Sequence, residues 1–498
     1  MSDFNQEVIQ LLTELDQPAM SSTAYDTAWL ARVPGEAHWT QRAFPEALEW
    51  LRCHQHADGS WGSQLVHYHD RVICTLNALI ALAEYGIESA DRAAIRRGET
   101  YLHHAALHLA CDAHDTVGFE LIVPTLLEQA RQLNLHIPYA QLDRYQAIRE
   151  EKLRLIPRSL IYSRQVTTAH SLEFMGDDLE FRRIDQLQEA NGSLGHSPSA
   201  TAYLVHKRPF NTAARQYLVE VSQLAAGAAM PAHPVEIFDT SWALYNLELA
   251  QYYASLNGPL TARLRSLLQA WDMCAGLGFS HDYSVPDLDD TAVVFKLLAR
   301  AGLALDPTVF QAYERDTHFV CYQFERNPSV GAHIHLLEAL DTCAPTPEVT
   351  RMTIKALNFL RRSRVNDAYW FDKWHISPYY ITSHAIIATL CLDQGLARDA
   401  MTWMLGTQNK DGSWGFCQPT AEETAYCLQA LLAYHNEVKP IELAVLDRAA
   451  EYVYRHYQDA EYPAMWIEKA LYTPEHIVTS ALISALSMYE ATRATQVR

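Results

Sequence analysis

The chain has 498 residues, is 49% hydrophobic and 20% charged, and carries a formal net charge of -20. Such a length predicts two or more domains with substantial cores, and such a composition excludes a disordered chain. The acidic balance, with no Lys/Arg block to displace phosphate counterions, excludes nucleic acid as a partner. An anionic substrate therefore has to be met by a local basic pocket or a metal ion.

In chain order, Met1-Ser2-Asp3-Phe4-Asn5-Gln6-Glu7 shows neither the basic region nor the apolar core of a secretory signal. The longest apolar stretch, Ile73 to Ala83, is interrupted by Thr75 and Asn77 and is too short to span a bilayer, so no stable membrane insertion is expected. Nine cysteines lie dispersed without a C-x-x-C pair, which fits reduced thiols and a cytoplasmic location. Histidine clusters such as His67-Tyr68-His69 and His333-Ile334-His335 occur without H-E-x-x-H, and a histidine-bound zinc site is not expected.

The chain repeats itself. Gln55-His56-Ala57-Asp58-Gly59-Ser60-Trp61-Gly62 recurs as Gln188-Glu189-Ala190-Asn191-Gly192-Ser193-Leu194-Gly195 and as Gln408-Asn409-Lys410-Asp411-Gly412-Ser413-Trp414-Gly415. Each copy reads as a glycine turn between helical patterns, with Trp or Leu plugging a core, and a helix start follows it. Gly276-Leu277-Gly278-Phe279, followed by Asp289-Asp290-Thr291-Ala292, is a worn fourth copy. Apolar residues recur at helical spacing over Arg71 to Ala83, Val123 to Leu133, Thr291 to Ala301, Ser383 to Leu392 and Thr424 to Tyr434, and no convincing alternating strand series appears. The predicted fold is all-α, built from barrels of paired helices or a solenoid.

One of these helix starts stands out. Asp287-Leu288-Asp289-Asp290-Thr291-Ala292 sets three carboxylates in four residues directly before Val293-Val294-Phe295. Carboxylates so crowded cannot all ionise comfortably, and one holding its proton is a strong general acid; the bland alternative is helix capping favoured by the macrodipole. The internal repeats separate the two readings. Thr-Ala recurs and belongs to the scaffold, whereas the acids before it vary, so the fold does not demand the aspartates. Glu422 and Glu423 form a rival pair, read as ordinary first-turn acids.

These residues carry a resemblance that spans nearly the whole chain. In order, Ser22-Thr23-Ala24-Tyr25-Asp26-Thr27-Ala28-Trp29, the Gly/Trp turns, Val117-Gly118-Phe119-Glu120-Leu121, His170-Ser171-Leu172-Glu173, Ser197-Pro198-Ser199-Ala200-Thr201-Ala202, D-x-D-D-T-A, Asn327-Pro328-Ser329-Val330, Asp372-Lys373-Trp374-His375, Thr420 to Tyr426 and Leu471-Tyr472 resemble bacterial class II diterpene cyclases, the group of halimadienyl, kolavenyl and copalyl diphosphate synthases. Squalene-hopene cyclases are more distant relatives of that group.

The resemblance implies two α/α barrels: a β unit of residues 1–40 and 225–498 carrying D-x-D-D, and an inserted γ unit of residues 41–224. It implies an enzyme that protonates the terminal alkene of geranylgeranyl diphosphate and cyclises it with the diphosphate intact. Asp289 would be the proton donor, tuned by Asp287 and Asp290, with His335 hydrogen-bonded to it. Substrate binding falls to Lys152, Lys373 and His170, with Trp374 and Tyr379 as lining aromatics that shield and stabilise carbocations. Mg²⁺ is the implied cofactor, at Asp112, Asp115 and Glu120. A product that keeps its diphosphate calls for a downstream class I terpene synthase or phosphatase, and a homodimer is a further expectation.

One departure bears on product. Plant copalyl diphosphate synthases pair the histidine matching His170 with an asparagine, and this chain has Met230-Pro231-Ala232-His233-Pro234 in that place. A broken pair favours a rearranged halimadane or clerodane skeleton over a labdane. The alternatives are copalyl diphosphate, a farnesyl diphosphate-using drimenyl-type cyclase, an α/α-barrel glycoside hydrolase with paired carboxylates, and a noncatalytic helical scaffold. A class I synthase is disfavoured, because Asp177-Asp178-Leu179-Glu180-Phe181 lacks the last acid of D-D-x-x-D.

Overall fold

A computed structural model describes residues 4–35, 42–86, 88–252, 258–459 and 461–496. Two rings of helices dominate it. In the first, Glu236–Leu249, Leu288–Arg300, Val330–Asp341, Pro378–Thr389, Ala421–Glu437 and Glu475–Gln496 each pack on the next, and the last returns to the first. Outer helices such as Pro347–Ser363, Gln394–Gly406 and Leu443–His456 stand between them. The second ring runs through Ala24–Ala31, Tyr68–Tyr85, Phe119–Gln132, the 3₁₀ stretch Thr167–Met175 and Pro198–Lys207, which closes on Ala24–Ala31. Each ring encloses its own apolar core. Inner helices are buried on nearly every face, and the outer ones show the one-sided stripe of a surface helix, as with Val349, Met352, Ala356 and Leu360.

The recurring turn explains why consecutive helices pair. In each copy the Asp or Asn side chain accepts the Ser backbone N–H two residues on, at 3.0 Å for Asp58 and Asn191 and 3.1 Å for Asp411. The glycine takes φ of 95°, 89° or 94°, and a Cβ there would meet the backbone of the adjoining outer helix at 2.6 Å or less. The residue after the serine then donates its N–H to the hydroxyl of a threonine in the following inner helix: Trp61 to Thr75, Leu194 to Thr201, Trp414 to Thr424. Leu277 does the same with Thr291 at 3.1 Å, so the worn fourth copy keeps the bond that joins turn to helix.

A fifth copy went unread in the sequence. Trp370 donates to Thr382, and its indole reaches the Leu360 carbonyl, as Trp61 reaches Leu51 and Trp414 reaches Met404. Ala368 stands at its glycine position, and the positive-φ step falls instead at Asn366 and Asp367, whose side chains tolerate it.

Two boundaries shift. The expected break at 40/41 lies outside the described residues, but Ala24–Ala31 already packs in the second core, so the first unit gives up the chain between Leu15 and Ala24. The return falls between Ala229 and Ile237 rather than at 225. The all-α expectation holds apart from one short hairpin, β1 (Trp466–Ile467) and β2 (Leu471–Tyr472), paired antiparallel.

That hairpin ties the barrels together. Its turn drives Lys469 into the second barrel, where the fully buried ammonium donates to Glu173 Oε1 at 2.9 Å and to Ser197 and Ser199 Oγ at 2.6 Å. Leu471 N donates to Asp70 Oδ1 at 2.8 Å, and Val117 N donates to the Glu468 carbonyl at 2.9 Å. No described helix is long and apolar enough to cross a membrane.

Candidate active site

The acidic segment opens the helix Leu288–Arg300. Asp287 is its N-cap and accepts the Asp290 backbone N–H at 2.8 Å, so the capping reading is correct for this residue. Capping does not exhaust its role, because all three aspartates also line a cavity, where Tyr322 OH donates to Asp287 Oδ2 at 3.0 Å. They are only 1%, 8% and 5% exposed, too little water to ionise together. Burial raises Asp287, and burial followed by the charge of Asp287 raises Asp290 well above the usual carboxylate range. Asp290 Oδ1 has no hydrogen-bond partner among the described residues.

His335, on Val330–Asp341, holds Nδ1 2.6 Å from Asp289 Oδ1. Its Nε2 lies 3.1 Å from His384 Nδ1 on Pro378–Thr389. Burial works against charge on His335, but the Asp289 carboxylate outweighs it and raises the imidazole. Burial, then His335, drives His384 well down, so His384 is the neutral ring of the pair.

The cavity around this acid measures about 1030 Å³ and is walled by Phe238, Trp242, Phe279, Tyr283, Tyr322, Trp374, Tyr380, Trp466 and Tyr472. It runs between the barrels, since Val117, Thr167 and His170 of the second unit complete the wall. Through Val117, Thr167, His170, Tyr322 and Trp374 it adjoins a second cavity of about 970 Å³ of different character. This vestibule holds three cations against three carboxylates: Lys152 to Glu120 at 3.2 Å, Arg326 to Asp115 at 2.6 Å and Lys373 to Glu325 at 2.5 Å. Burial alone would lower Lys373, and Glu325 outweighs it, leaving the lysine raised and charged.

The structure thus brings together Asp287, Asp289, Asp290, His335, His170 and Trp374 at one cavity and Lys152, Lys373, Asp115 and Glu120 at its neighbour. Two expectations are corrected. Tyr379 lies off the chamber, its ring stacked on Trp403 at 5.0 Å, and the lining tyrosine is Tyr380. One residue turns a helix by about 100°, enough to exchange core for cavity. Asp112 stands apart from Asp115 and Glu120 because its carboxylate turns toward His67 and His69, with His69 Nδ1 at 2.7 Å. Their ligand atoms lie within 4.8 Å of one another, a spacing compatible with a metal ion that the absence of H-E-x-x-H did not foretell.

The rival acids are not solvated first-turn residues either. Glu422 accepts from the Trp466 indole at 2.9 Å, Glu423 is bonded to Ser377 and Thr420, and both are buried away from the chamber.

Several functional residues were missed. His384, Glu325 and Arg326 had no signal beyond Arg326 adjoining Asn327-Pro328-Ser329. Glu468, three residues before the Leu471-Tyr472 motif, lines the chamber and is hydrogen-bonded to His170. The histidine left without an asparagine therefore has a carboxylate partner instead.

A buried carboxyl backed by an imidazole, in an aromatic chamber between two α/α barrels, marks the fold and site of a class II terpene cyclase. Residues 323–431 match the family described as squalene-hopene cyclase C-terminal domain. The type B diterpene cyclase of Mycobacterium tuberculosis is 35% identical over 494 residues, covering 95% of this chain and 96% of that protein. The ent-copalyl diphosphate synthase from Streptomyces platensis superposes with a TM-score of 0.80 at 26% identity, covering 97% of this chain and 99% of that one. A (-)-kolavenyl diphosphate synthase of Tripterygium wilfordii is 29% identical over 86% of this chain, which spans about half the length (53%) of that plant relative. The chain belongs to the class II diterpene cyclases. It is thus a cyclase of the isomerase type, and the glycoside hydrolase and scaffold readings fall.

Proposed function

We propose that this protein protonates the terminal alkene of geranylgeranyl diphosphate with Asp289 and closes the resulting carbocation to a bicyclic diterpenyl diphosphate. The observation that carries the reading is a division of labour: Asp289 and His335 line the aromatic chamber alone, and Lys152, Lys373 and Arg326 line the adjoining vestibule alone. Hydrocarbon and diphosphate each find a matching surface.

An isolated alkene is a very weak base, so its acid must be neutral, desolvated and in contact with it. His335, the protonated ring of the pair, donates Nδ1–H to Asp289 Oδ1, which leaves the acid proton on Oδ2, and donates Nε2–H to His384 Nδ1. The proton passes to the terminal alkene carbon, and the neighbouring alkenes close on the cation. Ring faces of Trp242, Tyr380 and Trp466 stabilise positive charge without offering the lone pair that would trap it. The diphosphate exchanges with the carboxylates that now hold Lys152, Lys373 and Arg326. Asp115, Glu120 and Glu325 are hard oxygen donors beside those cations and fit Mg²⁺ carried with a diphosphate, whose charge the ion offsets when bound. Asp112 is not part of that donor set.

A rearranged skeleton such as kolavenyl or halimadienyl diphosphate is favoured over copalyl diphosphate, because Ala232 in the wall has no amide to hold a water beside His170. The product, still a diphosphate, passes to a class I synthase or a phosphatase.

The test is incubation with geranylgeranyl diphosphate and Mg²⁺, then phosphatase treatment and mass spectrometry of the alcohols, with farnesyl diphosphate alongside. Asp289→Asn is expected to lower cyclisation by about 10²–10⁴-fold. Unchanged substrate, or release of free diphosphate, would sink the reading; copalyl diphosphate alone would remove the rearranged skeleton, and preference for farnesyl diphosphate would replace the substrate.

A further inference from the structure

An acid that starts a cation needs a base that ends it, and the chamber holds one that the initiation step does not use. Glu468 begins the turn of the hairpin and lines the chamber together with His170. Its Oε1 meets His170 Nε2, and its Oε2 accepts from the Lys469 backbone N–H. His170 Nδ1 lies 2.7 Å from the Gly195 carbonyl, which only accepts, so Nδ1 carries a hydrogen and the ring is fixed with Nε2 toward the carboxylate.

The other lining carboxylates are committed. Asp287, Asp289 and Asp290 form the acid cluster. Asp372 accepts from Ser329 Oγ at 2.9 Å and from the backbone of Gly331 and Trp374 at 3.1 Å. Burial would raise Glu468, but the His170 imidazole, and after it Lys469, outweigh burial and hold the carboxyl below its ordinary range. Among the described lining residues, Asp372 and Glu468 are the carboxylates outside the acid cluster, and of the two Glu468 is the one bonded to an imidazole.

Resting on the function proposed above, we infer that Glu468 is the base that takes the terminal proton and that His170 is the positioning residue that aims it. A C–H bond beside the final cationic carbon breaks, its electron pair becomes the new alkene, and the proton moves to a Glu468 oxygen. Glu468 returns that proton to solvent, and solvent reprotonates Asp289. Protons balance over the cycle and nothing is oxidised or reduced. His170 sits where chamber meets vestibule and Glu468, in the chamber wall, is bonded to it, whereas neither Asp289 nor His335 lines the vestibule. The proton is therefore removed at a different wall from the one where it was delivered, and the placement of Glu468 selects which C–H is reached.

A purely structural link between barrels would alter stability and leave product identity unchanged, so product identity is the readout. The wild-type enzyme is assayed first with geranylgeranyl diphosphate and Mg²⁺. If it makes no cyclised diphosphate, the underlying function fails, and this inference with it, before any variant is read. With cyclisation established, Glu468→Gln and Glu468→Ala are expected still to consume substrate, because the Asp289–His335 pair that starts the cation is intact. Both should divert the major product into isomeric alkenes or a hydroxylated diphosphate, and Glu468→Asp should restore the wild-type product as the main one. An unchanged product profile in the folded Gln variant overturns the proposal. So does a folded Gln variant that no longer consumes substrate, because Glu468 would then act in initiation. Circular dichroism separates these results from misfolding, and the isosteric Gln variant stands if the Ala variant does not fold.

Discussion

His384 Nδ1 lies 3.1 Å behind His335 Nε2, so the imidazole bonded to Asp289 is itself fixed by a second, neutral imidazole. The pair is buried, and Tyr245 stacks on His384 with ring centroids 5.0 Å apart. The acid is thus aimed by two residues in series.

Replacing His384 by Ala is expected to leave KM near its wild-type value and to lower kcat by about ten- to a hundredfold, the usual cost of losing an orienting partner. His384→Gln, whose amide keeps a hydrogen bond, should recover part of that loss. Single-turnover rates at saturating substrate check this; an unchanged rate in the Ala variant would show that His335 needs no support.

Asp290 predicts a stability profile. Its folded carboxyl is raised well above 3.8 by burial and by Asp287, so the folded state keeps a proton that the unfolded chain releases. The stabilisation is full below the unfolded value and is lost as pH rises through the folded one. Thermal denaturation between about pH 5 and about pH 8 should show Asp290→Asn losing less stability than wild type, the difference being at most about 1.4 kcal/mol per pH unit. Parallel curves would mean that Asp290 ionises in the native protein.

Lys373 should act on binding. Lys373→Ala removes a charged donor from the vestibule and is expected to raise KM for the prenyl diphosphate by about ten- to a hundredfold, with kcat changed far less. Raised ionic strength should weaken wild-type binding and affect the variant less. A fall in kcat at constant KM would place Lys373 with the chemistry instead.

Lys469 is a stability residue. Lys469→Met leaves Glu173 buried without its cation and should cost about 3–5 kcal/mol in denaturant unfolding. Adding Glu173→Gln should return much of that loss, since the stranded charge is removed. Equal instability of the single and double variants would mean that the ammonium's contacts with Ser197 and Ser199 dominate.

How far the sequence spoke depended on how local each cause was. Asp287 to Asp290 were legible because a cap and a carboxylate cluster are both written within one turn of helix. The Gly/Trp turns were legible for the same reason, except at Trp370, where Ala368 takes the glycine position and Asn366 and Asp367 carry the positive φ. His335 came from family resemblance; its contact with Asp289 joins residues 46 apart on different helices. Glu468 and His170 are 298 positions apart and meet only because the hairpin crosses between barrels. Tyr379 was chosen over Tyr380 because aromatic content shows that a stretch is apolar, not which neighbour turns inward. Asp112 failed as a partner of Asp115 and Glu120 because nearness in sequence says nothing about which way a loop carboxylate faces.

The hairpin turn has a consequence for how such enzymes can be recombined. Ala470 belongs to the core of the second barrel, Lys469 is held by that barrel's polar groups, and Glu468, one residue earlier, faces the chamber. A chimera that exchanges one barrel between relatives therefore splits a set of matched residues unless Glu173, Ser197, Ser199 and the Glu468-Lys469-Ala470 turn travel together. The portable unit of this architecture is not a domain but a barrel plus the few residues its neighbour lends it.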